Sequence, residues 1–290
     1  MTELQHLLER AELLLNRIEN YFPPPVSPPD WQKIFACRWC KRYQRGEFQP
    51  IYHPHQIRLA DLQGIELQKQ QIDRNTRQFL QGKPANNVLL WGARGTGKSS
   101  LIKALLNEYA LQGLRLVEVD KHDLIDLPDI VETFYDRLER FIIFCDDLSF
   151  EQDDARYKAL KSILDGSVSA PPQNVLIYAT SNRRHLLPEY QQENLATQFI
   201  EGEIHLSEAI EEKISLSERF GLWLSFYPFK QDEYLAIVFY WLHQWGLTSE
   251  ETTAIKTAAL QWALQRGSRS GRAAWQFAQD WVGKTTVTLS

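Results

Sequence analysis

A short glycine-rich run, Gly92-Ala93-Arg94-Gly95-Thr96-Gly97-Lys98-Ser99-Ser100, dictates much of what can surround it. A glycine, four residues, then Gly-Lys-Ser is the phosphate-loop pattern. It requires a strand before it and a helix after it. Backbone N–H groups wrap the phosphates, and the helix aims its positive dipole end at the same anion. Both neighbours are legible: Val88 to Trp91 is a short apolar strand, and Ser99 to Glu108 reads as a helix. Lys98 is then placed to reach the outer phosphates and the Ser99 hydroxyl to sit on Mg²⁺. Average residue frequencies give such a match by chance in a chain of this length only at roughly the 1% level.

Strands to flank that loop are present. Leu114 to Val119, Phe141 to Cys145, Val175 to Ala179 and Leu222 to Phe226 alternate with helical patterns. That alternation predicts a parallel sheet with crossover connections. The Phe141 strand runs into Asp146 and Asp147. There Asp146 is placed to hold Mg²⁺, mostly through water, and Asp147 to polarise an attacking water. The Val175 strand ends in Ser181-Asn182, a polar tip able to orient water beside a γ-phosphate; an ordinary Ser-Asn turn is the competing reading. After Phe229 the strands stop. Tyr234 to Trp245, Glu250 to Gln265 and Gly271 to Val282 read as three helices, with Thr248 and Glu251 as a capping box for the second.

Together, the phosphate loop, acidic strand end, polar strand tip and helical C-terminal region resemble the AAA+ ATPases over about residues 58 to 285. The stretches GARGTGKSS, DDLSFE, YATSNRRHL, EKISLSERFGLW and RSGRAAWQF resemble, more narrowly, an uncharacterised bacterial AAA+ family known only as a domain of unknown function. With the strands and helices read above, the resemblance implies an α/β AAA+ P-loop fold with a five-stranded parallel sheet and a C-terminal helical lid; an N-terminal helical extension is expected from the helical spacing within residues 1–45. The implied divisions are 1–57, 58–229 and 230–290. It implies ATP and Mg²⁺, with Gly64 and Ile65 in the stretch that cradles adenine. Arg219, in Ser-Glu-Arg-Phe-Gly, resembles the arginine finger that reaches a neighbouring subunit's γ-phosphate, which implies a homo-oligomer. A surface arginine in a helix-to-strand turn is the alternative. Arg272 resembles the lid arginine that senses the same phosphate, and Arg269 is close enough to take that role instead. Asp147 departs from the longer Glu of most active members, which points to slow turnover. No aromatic-hydrophobic-glycine pore loop is legible between Phe150 and Ser169. The implied function is an ATP-hydrolysing switch or remodelling protein acting on a protein partner. A nucleic-acid-associated ATPase similar to helicase loaders, and a nucleotide-dependent scaffold with negligible turnover, are the alternatives.

Residues 1–57 are where a partner is expected to dock. Leu4, Leu7, Leu8, Ala11, Leu14, Leu15 and Ile18 share one helix face, and the prolines from Pro23 to Pro29 then form a stiff linker. Trp31, Phe35, Trp39 and Tyr43 stand in an i, i+4 row that predicts another helix over 30–45, beside Lys33, Arg38, Lys41, Arg42 and Arg45. Three uses fit this segment: aromatics packed on the core, docking on an acidic surface such as Glu201 to Glu212, or stacking on a single-stranded nucleic acid. Cys37 and Cys40 with His53 and His55 imitate a zinc finger, but the His-x-His spacing is too short, so packed thiols are expected. With 32 basic against 37 acidic residues the net charge is −5, which excludes a basic nucleic-acid coat. The longest apolar run, Tyr234 to Leu242, is far short of the ~20 residues a membrane-spanning helix needs. Three cysteines and no apolar leader point to the cytoplasm.

Overall fold

The computed structural model describes residues 5–8, 10–14, 28–42, 45–150, 154–166, 172–184, 186, 198–200, 203–205, 216–247 and 253–287. Residues 5–8 and 10–14 are helical (α1). The Thr248–Glu251 capping box, the linker up to residue 27 and most of the Glu201 to Glu212 stretch lie outside the described residues.

The helix expected over 30–45 is a correction. A β-hairpin stands there, β1 (Ala36–Arg42) and β2 (Arg45–Pro50), paired antiparallel. A spacing of four is also a multiple of two, so it does not separate a helix from a strand; here Trp31 and Phe35 precede β1, and Phe35 packs on the opposite side of the sheet from Trp31 and Trp39. β1 then pairs parallel to β4 (Leu114–Glu118). The hairpin thus extends a sheet whose other strands are β3 (Val88–Gly92), β5 (Arg140–Cys145), β6 (Val175–Ser181) and β9 (Leu222–Phe226). The order is β2-β1-β4-β5-β6-β3-β9, seven strands where five were expected. The five expected strands are all present and mutually parallel. They are near-continuous apolar runs because both faces are covered. A separate two-stranded ribbon joins β7 (Gln198–Ile200) to β8 (Glu203–His205).

On one face lie α2 (Glu66–Leu80), α3 (Lys98–Tyr109) and the lid. The lid comprises α6 (Gln231–Gln244), α7 (Thr253–Gln265) and α8 (Gly271–Val287). Its apolar residues, among them Ile237, Ala259, Ala274 and Phe277, join the same core as Val88 and Leu90. The other face is covered by α4 (Leu127–Glu132), α5 (Ala155–Asp165) and the aromatics of the N-terminal hairpin. Trp31 meets Phe48, Phe134 and Phe141 edge-on at 5.8, 5.9 and 5.0 Å between ring centroids. Arg115 Nε donates to the Trp31 carbonyl at 2.5 Å. Gly46 makes room for Trp39: a Cβ there would stand 1.9 Å from the indole. The basic side chains beside these aromatics pair with acids, Arg38 with Glu118, Lys41 with Asp126 and Arg42 with Glu47. Trp31 and Trp39 are thus core residues, not an exposed stacking platform. Cys37 and Cys145 are buried and Cys40 half-buried, all as free thiols. No helix among the described residues is long and apolar enough to cross a membrane.

Candidate functional site

The glycine-rich loop leaves the end of β3, between β6 and β9 in the sheet. Gly92 has φ +128°, and a Cβ there would lie 2.0 Å from the Phe226 carbonyl oxygen, so no side chain fits. Gly95 and Gly97 also have positive φ, +74° and +100°, which glycine adopts without steric cost. The loop turns directly into α3. The first N–H groups of a helix have no acceptor within it, and among the described residues no acceptor faces the amides of Gly95 to Ser100. A cradle of unpaired donors at a helix N-terminus fits phosphate.

Lys98 folds back into this cradle. Its Nζ donates to the carbonyls of Gly92 at 2.8 Å and Ala93 at 2.7 Å and to Asn182 Oδ1 at 3.2 Å. Burial pushes its pKa down to about 8; Asp147 and Asp146 oppose that shift, while Arg94 and Arg272 add to it. The side chain is a cation held in partial desolvation beside the loop amides.

β6 lies between β5 and β3, so its tip meets both the acidic strand end and the loop. Ser99 Oγ donates to Asp146 Oδ1 at 2.6 Å. Thr180 Oγ1 donates to the same oxygen at 2.5 Å and accepts the Asp147 N–H at 2.9 Å. Asn182 Nδ2 donates to Asp147 Oδ1. Asp147 has φ +52°, alone among the described non-glycine residues in being positive. A hydroxyl and a carboxylate in contact are hard oxygen donors suited to a magnesium ion that completes its shell with water and phosphate oxygens.

The cleft over these groups has a volume of about 910 Å³. Arg94 to Ser100, Asp146, Asp147, Thr180 and Asn182 line one end. Leu62, Ile65, Phe229, Ile237 and Trp241 make an apolar wall; Ile65 and Leu62 side-chain carbons come within 4 Å of where a Gly97 Cβ would stand. Gly64, with φ +76°, does not line the cleft; it supports the wall by lying against the Phe229 ring. Gly92 and Ala93 contribute carbonyls to Lys98 rather than surface to the cleft. Arg272 lines the cleft and Arg269 does not. Arg272 N–H donates to the Gly95 carbonyl at 3.3 Å, so the lid helix α8 begins on the loop itself. Arg219 is outside the cleft, its Nε on Asp165 Oδ1 at the end of α5.

Three features of this site lie outside the sequence expectations. Thr180 joins both acids, and its signal is present in the sequence: a threonine inside a fully buried strand needs a polar partner. Trp241, Trp245 and Trp275 line the lid side of the cleft. Tyr240 Oη donates to Asp61 Oδ1 at 2.7 Å, tying α6 to the segment before α2. The last two join residues far apart in the chain, and no local pattern marks them.

A family model described as "Protein of unknown function (DUF815)" matches residues 32–285. The replication factor C large subunit of Staphylothermus marinus is 38% identical over 80 residues, 27% of this chain and 18% of that protein. Its Sulfolobus acidocaldarius counterpart is 35% identical over 79 residues, 26% and 18% of the two chains. This chain therefore spans less than a fifth of those relatives. Among solved structures, the Thermotoga maritima RuvB Holliday junction branch migration motor superposes with a TM-score of 0.50 at 17% identity, covering 80% of this chain and 66% of that one. A single-substitution variant of the same RuvB gives 0.53 at 16%, with the same coverage. Similarity at that level of identity shows a shared AAA+ P-loop fold.

Proposed function

The chain belongs to the DUF815 family, and we propose that it is an ATP-binding, ATP-hydrolysing AAA+ switch acting on a protein partner. One observation carries the reading: unpaired loop amides, Lys98, the Ser99–Asp146 contact and the Asn182–Asp147 contact all open into one cleft that the lid arginine Arg272 also lines. The triphosphate of ATP takes the amides of Gly95 to Ser100, and Lys98 exchanges the Gly92 and Ala93 carbonyls for phosphate oxygens. The base lies toward Leu62, Ile65 and Ile237. Ser99 and Asp146 would hold Mg²⁺, which supplies charge neutralisation on the phosphates when bound. Asp147 accepts a hydrogen bond from a water that Asn182 helps to orient. That water attacks the γ-phosphorus as the bond to the β–γ bridging oxygen breaks, and ADP and phosphate leave with the water's protons shared between phosphate and solvent. Arg272 reports the phosphate to α8 and so to the lid angle.

The test is equilibrium nucleotide binding together with steady-state phosphate release. Wild type binds and turns over ATP; Lys98→Ala, still folded, loses most affinity. Near-normal binding by that variant would sink the assignment. A second reading, a nucleic-acid-associated ATPase, is supported by the short stretch shared with replication factor C large subunits and by the RuvB-like fold. Stimulation of turnover by single-stranded DNA favours it. Binding without turnover favours a scaffold, in keeping with the short Asp147.

A further inference from the structure

Thr180 makes more contacts to the acidic end of the site than any role given above requires. It is 2% exposed, on a strand whose neighbours in sequence, Ala179 and Ser181, are also buried. A hydroxyl has one proton to give and lone pairs to receive. The proton goes to Asp146 Oδ1 at 2.5 Å, and a lone pair takes the Asp147 N–H at 2.9 Å. The Thr180 carbonyl accepts the next amide, that of Leu148, at 2.7 Å. Ser99 donates to the same Asp146 oxygen at 2.6 Å. Asp147 meanwhile holds a left-handed φ of +52°, a conformation that persists in a residue with a Cβ only where its surroundings fix it.

We propose that Thr180 is a positioning residue that locks the two acids into one unit, its single hydroxyl turning the Asp146 carboxylate onto Ser99 and pinning the Asp147 backbone so that its side chain meets Asn182. The proposal rests on the ATPase reading. It differs from the water-orienting role of Asn182, because Thr180 reaches the acids from within the sheet.

Thr180→Val keeps volume and β-branching but leaves the Asp147 amide without its acceptor and Asp146 with one donor fewer. Thr180→Ser keeps the hydroxyl. Partners one shell out from a metal site are worth about 10–100-fold in metal affinity or activity. In Thr180→Val the Mg²⁺ concentration for half-maximal phosphate release therefore rises by a factor in that range, and kcat falls. A fluorescent ADP analogue binds this variant as it binds wild type in EDTA, since the loop amides and Lys98 are untouched, but the tightening caused by Mg²⁺ is lost. Thr180→Ser restores both. A residue that served the fold alone would lower the thermal midpoint without any effect selective for Mg²⁺. Wild-type Mg²⁺ dependence and kcat in Thr180→Val overturn the proposal, as does an equal loss of binding in EDTA. Should the valine variant fail to fold, Thr180→Cys, with its weak donor, must show the same shift; wild-type behaviour there is equally fatal. Wild type that binds no nucleotide overturns the ATPase reading itself, a result separable from all of these.

Discussion

Lys98 is buried at 7% exposure with its pKa lowered to about 8 from 10.5. Between about pH 8 and 10.5 the folded chain binds fewer protons here than the unfolded one. The burial penalty is thus full below pH 8 and is relieved as pH rises through that window. Phosphate reverses the balance, because an anion beside the amine favours its charged form. Nucleotide binding above pH 8 therefore takes up a proton, and affinity declines as pH climbs past 8. Phosphate itself ionises at about pH 6, well below this range. Calorimetric titration with ADP at about pH 8.5, half a unit above the folded-state value, in two buffers of different ionisation enthalpy, measures that uptake directly. Wild type should show it and Lys98→Met should not; identical heats in both buffers for wild type would show that Lys98 is already protonated in the free protein at this pH. At this scale the sequence is most readable where the chemistry is contiguous, as in Gly92 to Ser100. Asp146, Asp147 and Asn182 are legible because each ends an apolar strand. Thr180 carries only the general signal of a threonine in a buried strand; its partners emerge when β6 lies beside β5 and brings it onto residues 33 and 34 positions away.

Among the elements, the five parallel strands and three lid helices are readable from apolar runs and turn residues, whereas the N-terminal hairpin is not. Periodicity fails at Trp31 to Tyr43 because a spacing of four satisfies both a helix and a strand. Gly46 carries the missing signal, since a glycine inside a strand marks the close approach of another group, here the Trp39 ring. The consequence is energetic. Trp31 is 3% exposed among Phe48, Phe134 and Phe141, so Trp31→Ala should cost about 3–5 kcal/mol in urea unfolding. A chain beginning at residue 29 keeps the hairpin and should match wild type in melting temperature and nucleotide affinity. One beginning at residue 58 loses β1, β2 and the Trp31 cluster, uncovers the outer edge of β4, and should aggregate. A soluble 58–290 fragment with wild-type affinity would show instead that the hairpin is an appendage.

For the whole molecule, the position of Arg219 poses the sharpest question. It pairs with Asp165 and does not line the cleft of its own chain, so we propose that a second copy carries it to a neighbouring cleft. Arg219→Ala should then bind ATP nearly as well as wild type, because every cleft residue is intact, yet hydrolyse it slower by ~10³ or more, the usual value of a finger in trans. Lys98→Ala should fail at both. Mixing the two inactive proteins separates the possibilities. Where a subunit with Lys98 sits beside one with Arg219, the shared site holds every catalytic group, and phosphate release should partly return as subunits exchange. An arginine acting within its own chain predicts an inactive variant that mixing does not rescue. An arginine that only closes an ion pair with Asp165 predicts Arg219→Ala at the wild-type rate. That last outcome would reassign Arg219 to the surface and remove the residue-level argument for an oligomer, while leaving the loop, the acids and the lid contact of Arg272 to stand on their own geometry.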